Sequence, residues 1–197
     1  KDAEGVKNVV QVLQKVGYNN VLIVVSAMGK MTNAFEKIAD AYFYKKEELP
    51  LFIKEARDYH YTIINKLFES KSHPIFSETE NLFIGLSGFM IQNKSTDYNF
   101  VYDQIVSVAE LISTKIVSHY LNESDIENTW IDVRDYIKTN NDYAILCGQE
   151  SGETKLLFHD ISNNSNQEIT LSILYKEFHI VSHSNLSNFY AVAKDMN

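Results

Sequence analysis

An α/β fold, with a helix-rich body and a smaller β-rich tail, is what the sequence predicts, on three observations. The run Val21-Leu22-Ile23-Val24 is short, apolar and continuous, as suits a strand buried on both faces of a parallel sheet. It stops at small and polar residues, Ser26-Ala27-Met28-Gly29-Lys30, and a helical pattern follows. That is how α/β folds bring the carboxyl end of a strand and a helix N-terminus together around anions. Near residue 144 the texture changes from helical spacing to short β-like runs, which divides the chain into residues 1–143 and a tail, 144–197.

The elements follow in order. Val6, Val9, Val10, Leu13 and Val16 share one helical face over 3–16, and Gly17 suits the C-cap. Residues 20–27 form the expected buried strand. Thr32 or Asn33 suits the cap of a helix carrying Phe35, Ile38, Ala41 and Tyr42. Pro50 marks the entry to a long helix with Ile53, Ala56, Tyr59, Ile63, Ile64 and Leu67. The tyrosines at 42–44 and 59–61 read as packing surface. Another helix begins after His73-Pro74, where Ser77-Glu78-Thr79-Glu80 has the form of a capping box, and its apolar face holds Leu82, Phe83, Leu86, Phe89 and Met90. The polar stretch Asn93-Lys94-Ser95-Thr96-Asp97 leads to a helix over about 99–122, with Ile105, Val108, Leu111, Ile112, Ile116 and Tyr120. Residues 128–134 read as a second strand with a polar end. In the tail, 154–161 and 168–174 read as short strands around the loop Ser162-Asn163-Asn164-Ser165-Asn166, β character continues over 178–181, and Ser184 or Asn185 suits the cap of a last helix.

Composition narrows the function. Twenty-six acidic residues against 18 basic ones give a net charge of −8, which argues against a nucleic-acid groove. Cys147 is the single cysteine, so no intrachain disulfide forms, and a reducing cytoplasm fits best. Within Tyr143-Ala144-Ile145-Leu146-Cys147 it reads as a small buried hydrophobe rather than a nucleophile. No apolar run reaches membrane-spanning length, and no basic-then-apolar leader opens the chain. The six histidines show no metal-ligand spacing, and there is no GxSxG elbow. The seven glycines never cluster as GxGxxG or GxxxxGK, so the sequence as written has no loop for cradling nucleotide phosphates.

Two places carry candidate chemistry. At the first turn, Ser26, Gly29, Lys30 and Thr32 either face an anion with hydroxyls, backbone N–H groups and an ammonium, or are turn punctuation and a helix cap. Glu110 either accepts a substrate ammonium or is a solvated helix residue, and its neighbours Val106, Val108, Leu111 and Ile112 argue against full exposure. Asp132 and Arg134 read as a surface pair or as part of the same sheet edge as Ser26.

Three stretches in order resemble an aspartate kinase of the amino-acid kinase superfamily. Val24-Val25-Ser26-Ala27-Met28-Gly29-Lys30-Met31-Thr32-Asn33 is similar to the family's VVSAMGxxTN segment. Tyr102 to Thr114, containing Ala109-Glu110-Leu111-Ile112-Ser113-Thr114, resembles the segment written GExxST. Trp130-Ile131-Asp132-Val133-Arg134-Asp135 and Lys138-Thr139-Asn140 resemble the next strand and turn. The likeness covers residues 1–143. It implies a three-layer α/β/α sandwich and ATP-dependent phosphorylation of the L-aspartate side-chain carboxylate, with Mg²⁺, at the head of lysine, threonine and methionine biosynthesis. It implies that Thr32 and Glu110 bind aspartate and that Ser26, Ala27 and Gly29 lie beside the phosphates. No metal ligand is identified.

The sequence departs from that family in three ways. Ala109 stands where the family has glycine, so a displaced Glu110 is expected. The family's leading KFGGTSV motif is absent, and so is the later, nucleotide-binding half. Parts of a longer protein are the expectation that covers these gaps. The tail resembles an α+β ACT-like regulatory module over Ile169–Ser172 and Phe178–Tyr190, which implies an inhibitory amino acid, lysine or threonine, near Ser182, Ser184 and Leu186, and a homodimer. A non-catalytic amino-acid-binding chain, or a related kinase for another small carboxylate, remains the alternative.

Overall fold

The computed structural model describes residues 1–19, 21–132 and 134, and the backbone of three strands between residues 153 and 179. The chain forms two compact units, Lys1–Tyr18 with Ile23–Trp130, and Asn19–Leu22 with Ile131–Asn197.

The first unit is built from five helices: α1 (Ala3–Val16), α2 (Met31–Phe43), α3 (Leu49–Leu67), α4 (Pro74–Gln92) and α5 (Tyr98–Glu123). Their ends follow from local chemistry. The Asp2 carboxylate accepts from Gly5 N at 2.9 Å to start α1, and Gly17, at φ 90°, closes it by donating to Leu13 O. Pro50 sits in the first turn of α3 and Pro74 opens α4, where a missing N–H costs nothing. Asp97 caps α5 by accepting from Asn99 N and Phe100 N. The cap of α4 is His73, whose ring accepts from Ile75 N, rather than the box expected at Ser77; Ser77 lies inside the first turn and donates to Pro74 O. Likewise α2 begins at Met31 behind Lys30 with no side-chain cap, so Thr32 and Asn33 lie within the helix and do not cap it.

Helix α5 packs against all four other helices. Its buried residues, Val101, Ile105, Val108, Ala109, Ile112, Ser113, Ile116, Val117 and Leu121, recur three and four apart and form one broad face. Phe35 and Ile38 of α2, Ile64 of α3 and Ile75 of α4 complete the fully buried core around it. Each such isoleucine contributes roughly 2 kcal/mol through burial. Among the described residues no helix is long and apolar enough to cross a membrane.

The expected three-layer α/β/α sandwich is overturned. No strand occurs among the described residues of the first unit. Residues 21–27 have no regular structure, and Val24, expected to be buried on both faces, is 81% exposed. Residues 128–132 are not a strand either. A strand needs neighbours for its N–H and C=O groups, and the five helices bury their apolar faces on one another without supplying any. A short apolar run does not distinguish a buried strand from other buried or connecting chain, and here the helical spacing around it sets the architecture.

In the second unit, β1 (Glu153–Asp160), β2 (Ser165–Leu174) and β3 (Glu177–His179) form an antiparallel sheet in the order β1-β2-β3. Leu156 stands opposite Ile169, and Ile173 opposite Phe178. The ACT-like α+β part belonged to the overturned fold class. Its expected helix and its candidate effector residues Ser182, Ser184 and Leu186 lie outside the described residues, as does Cys147.

Candidate functional site

The seam between α2 and α5 carries the candidate site. Two phenol–carboxylate bonds fix its register. Tyr98 Oη donates to Asp40 Oδ1 at 2.5 Å, and Tyr102 Oη donates to Glu36 Oε1 at 2.7 Å. The bond to Asp40, with burial behind it, pushes the Tyr98 phenol well above its ordinary pKa. Four residues back along α2 therefore match four residues forward along α5, and the helices run antiparallel. Thr32, Glu36 and Asp40 recur at helical spacing on α2, as Tyr98, Tyr102, Val106 and Glu110 do on α5. Extending the register sets Thr32 level with Val106, one turn or about 6 Å along the axis from Glu110.

The segment leading into α2 closes the seam. Met28 is buried and anchors it, and Met31 N donates to Met28 O in a tight turn. Gly29 sits at φ 59°, where side chains are disfavoured, and a Cβ there would lie 2.3 Å from Tyr59 Oη. Tyr59 in turn donates to Lys1 O. Ser26 meets α5 twice: its carbonyl accepts from the buried Ser113 hydroxyl at 2.7 Å, and its own hydroxyl donates to Glu110 Oε1 at 3.4 Å. One turn on, the Thr114 hydroxyl accepts from Trp130 Nε1 at 2.9 Å. Side chains of α5 thus gather all three sequence stretches singled out above.

The individual positions are informative. Glu110 is exposed, contrary to the partial burial its neighbours suggested, because Ala109 takes the core-facing position and is fully buried. Ser26 and Lys30 are exposed, Ala27 packs on the core edge, and Thr32 is half-buried. Among the described residues, the Thr32 hydroxyl and the Lys30 ammonium make no hydrogen bond. With α2 uncapped, the Thr32 and Asn33 N–H groups also lack acceptors there. The seam therefore offers a carboxylate on one side and a hydroxyl with helix-terminal N–H donors on the other. That pairing suits the ammonium and carboxylate of one small zwitterion.

Sequence reasoning missed Ser113, Thr114 and Tyr59 as positioning groups. The signal for Ser113 was present: it is a lone hydroxyl on the apolar stripe Ile105–Ile112–Ile116, where a polar group needs a specific partner. Asp132 and Arg134 pair with each other through a fork of bonds at 2.6–3.2 Å. Among the described residues no three metal-ligating side chains are gathered at one place.

A second polar cluster lies further along α5. Glu78 accepts from Lys115 Nζ at 2.7 Å and pairs with His119 Nε2 at 3.0 Å. Burial alone would raise the Glu78 pKa, but those two bases together hold it below the ordinary carboxylate value. The Lys115 ammonium also sits 4.0 Å over the Trp130 ring. These side chains, with Ser118, Asn122 and Asn128, line a cavity of about 230 Å³. Asn128 accepts from the Ser118 hydroxyl at Oδ1, and its Nδ2 lies within hydrogen-bond distance of Ser118 O, Asn122 Oδ1 and Ile126 O.

No family model, curated protein or solved structure matches the chain.

Proposed function

We propose that the helical unit carries the amino-acid-binding half of a site of the aspartate-kinase type, acting on the side-chain carboxylate of L-aspartate with ATP in the cytoplasm. The observation that supports this reading is the Ser26–Glu110–Ser113 contact, which joins two sequence stretches 84 residues apart that resemble that family. Glu110 takes the α-ammonium of aspartate. The Thr32 hydroxyl and the start of α2 take the α-carboxylate, leaving the side-chain carboxylate to project outward. An oxygen of that carboxylate attacks the γ-phosphorus of ATP, a P–O bond forms, and the bond to ADP breaks. The described residues do not gather as ligands for Mg²⁺, and no step is assigned to the cation. Ser26, Ala27 and Gly29 flank the position assigned to the phosphates.

A second reading has one observation in its favour. The seven glycines of the sequence form no phosphate-cradling cluster. A chain that binds an amino acid without turning over ATP fits that composition.

Calorimetry with L-aspartate, followed by trapping of an acyl phosphate with hydroxylamine in the presence of ATP and Mg²⁺, separates the readings. Aspartate binding with hydroxamate formation supports the kinase. Binding without hydroxamate supports the regulator. Absence of aspartate binding removes both.

A further inference from the structure

A histidine caps a helix only while its ring nitrogen keeps a lone pair. His73 does so for α4. Pro74, first in the helix, has no N–H, so the first donor needing an acceptor is Ile75 N, which donates to His73 Nδ1 at 3.2 Å. Phe76 N is served separately by His73 O. Since Nδ1 accepts, the proton of the neutral ring is on Nε2, which faces Glu123 Oε1 at 3.2 Å. The ring stacks on Phe68 at the end of α3, 4.4 Å between centroids, and meets His119 of α5 edge-on at 5.1 Å.

We propose that His73 is an acid-released cap: protonation converts Nδ1 from acceptor to donor, so the Ile75 N–H loses its partner and the first turn of α4 opens with the connection from α3.

The surroundings set the direction. A second proton places a positive charge at the positive end of the α4 dipole and beside His119. Glu123 on α5 and Glu78 on α4 oppose this, but Glu78 is already engaged by Lys115 and His119, and Glu123 is exposed. Lys71, in the connection, is turned to Asn65 and the Phe76 ring, and at the end of α3 the uncharged Phe68 ring stacks on His73. Burial, with His119 adding to it, holds the His73 pKa below its ordinary value, so the cap stays closed at neutral pH and opens on mild acidification. The unfolded chain takes up this proton first, so the cap's contribution is full above the ordinary histidine range and is lost as the pH falls through the folded value.

Residue-resolved amide exchange tests this on the whole chain. Between about pH 7.5 and about pH 5, with intrinsic rates divided out, Ile75 should lose protection about tenfold. The Ile112 amide, deep in α5, serves as the reference for global opening. His73→Asn keeps a capping acceptor that does not titrate, so its Ile75 protection should be the same at both pH values relative to Ile112. The proposal is overturned if wild-type Ile75 follows Ile112 across the range, or if His73→Asn loses protection as the wild type does. Should that variant not fold, the ring nitrogens of the wild type are read directly by long-range ¹H–¹⁵N correlation. A proton on Nδ1 at neutral pH overturns the assignment, and a lone pair there that disappears together with Ile75 protection sustains it.

Discussion

Two stretches of α5, less than three turns apart, treat polarity in opposite ways. Around Lys115 and His119 the charges close on each other: Glu78 serves both bases, Trp130 covers the ammonium, and both ends of the Asn128 amide are bonded. Around Glu110 the carboxylate is exposed, its bond from Ser26 is long, and Thr32 has a hydroxyl without a partner among the described residues. The first arrangement is complete by itself and holds α4, α5 and residue 130 together. The second is built, through the buried Ser113, to fix positions without consuming the groups it positions. Polar side chains in a fold are thus better sorted by what they leave unsatisfied than by their number.

The largest test of that contrast is Glu110→Ala. It should lower aspartate affinity about 100-fold, close to 3 kcal/mol, without moving the melting temperature, because the side chain is exposed. Calorimetry and thermal melting check the two halves, and a fall in stability with intact affinity breaks the comparison. Next in size is a core effect shared by neither stretch. His60 is fully buried beside Phe35 and Phe83, donates from Nδ1 to Ala56 O, and burial lowers its pKa from 6.5 to about 4. The folded ring stays neutral while the unfolded chain takes up a proton near the ordinary value. Stability is therefore full above about pH 6.5 and falls by about 3 kcal/mol as the pH drops to about 4. Urea unfolding across that range should show the slope, and His60→Met should remove most of it.

Gly29→Ala comes third. The left-handed backbone and the Tyr59 hydroxyl together cost about 2 kcal/mol, and the segment must shift, so affinity should fall with stability. Glu78→Gln should cost only about 1 kcal/mol at neutral pH, since the group is partly solvated, and should leave aspartate affinity unchanged. Its stability contribution is full above the ordinary carboxylate pKa and disappears as the pH falls through the lower folded value, so the variant should also flatten the acid end of the stability curve. Smallest is Thr32→Ala, about fivefold in affinity, from loss of one neutral hydrogen bond. An equal loss in Glu78→Gln and Thr32→Ala would erase the distinction between the two stretches.

The helices were legible because their signals are local. Val6–Leu13 spacing, Pro50, Pro74 and the polar break before Tyr98 place α1, α3, α4 and α5, the Phe35–Ile38–Tyr42 spacing places α2 without its cap, and Gly17 ends α1 as expected. The strands expected at 154–161 and 168–174 were legible from their texture, but β2 begins at Ser165, inside the stretch expected to be an Asn-rich loop. The run at 21–24 misled because its composition reports apolarity but not neighbours, and a strand is defined by the chain beside it. Ser26 and Glu110 were legible as candidates through a family likeness. That Ser113 would hold Ser26, or that Tyr59 would occupy the space above Gly29, depends on helix register, which no spacing within one helix encodes. The same holds for His73, whose capping role needs the ring orientation as well as the position.

Trp130 is the chain's single tryptophan. Its indole N–H is fixed by Thr114, the residue after Ser113, and its face lies under Lys115. Ultraviolet emission from the unlabelled protein is thus a natural optical gauge placed between the two stretches. A shift in its colour or intensity, on adding an amino acid or on acidification, would register a change at the indole's contacts with Thr114 and Lys115.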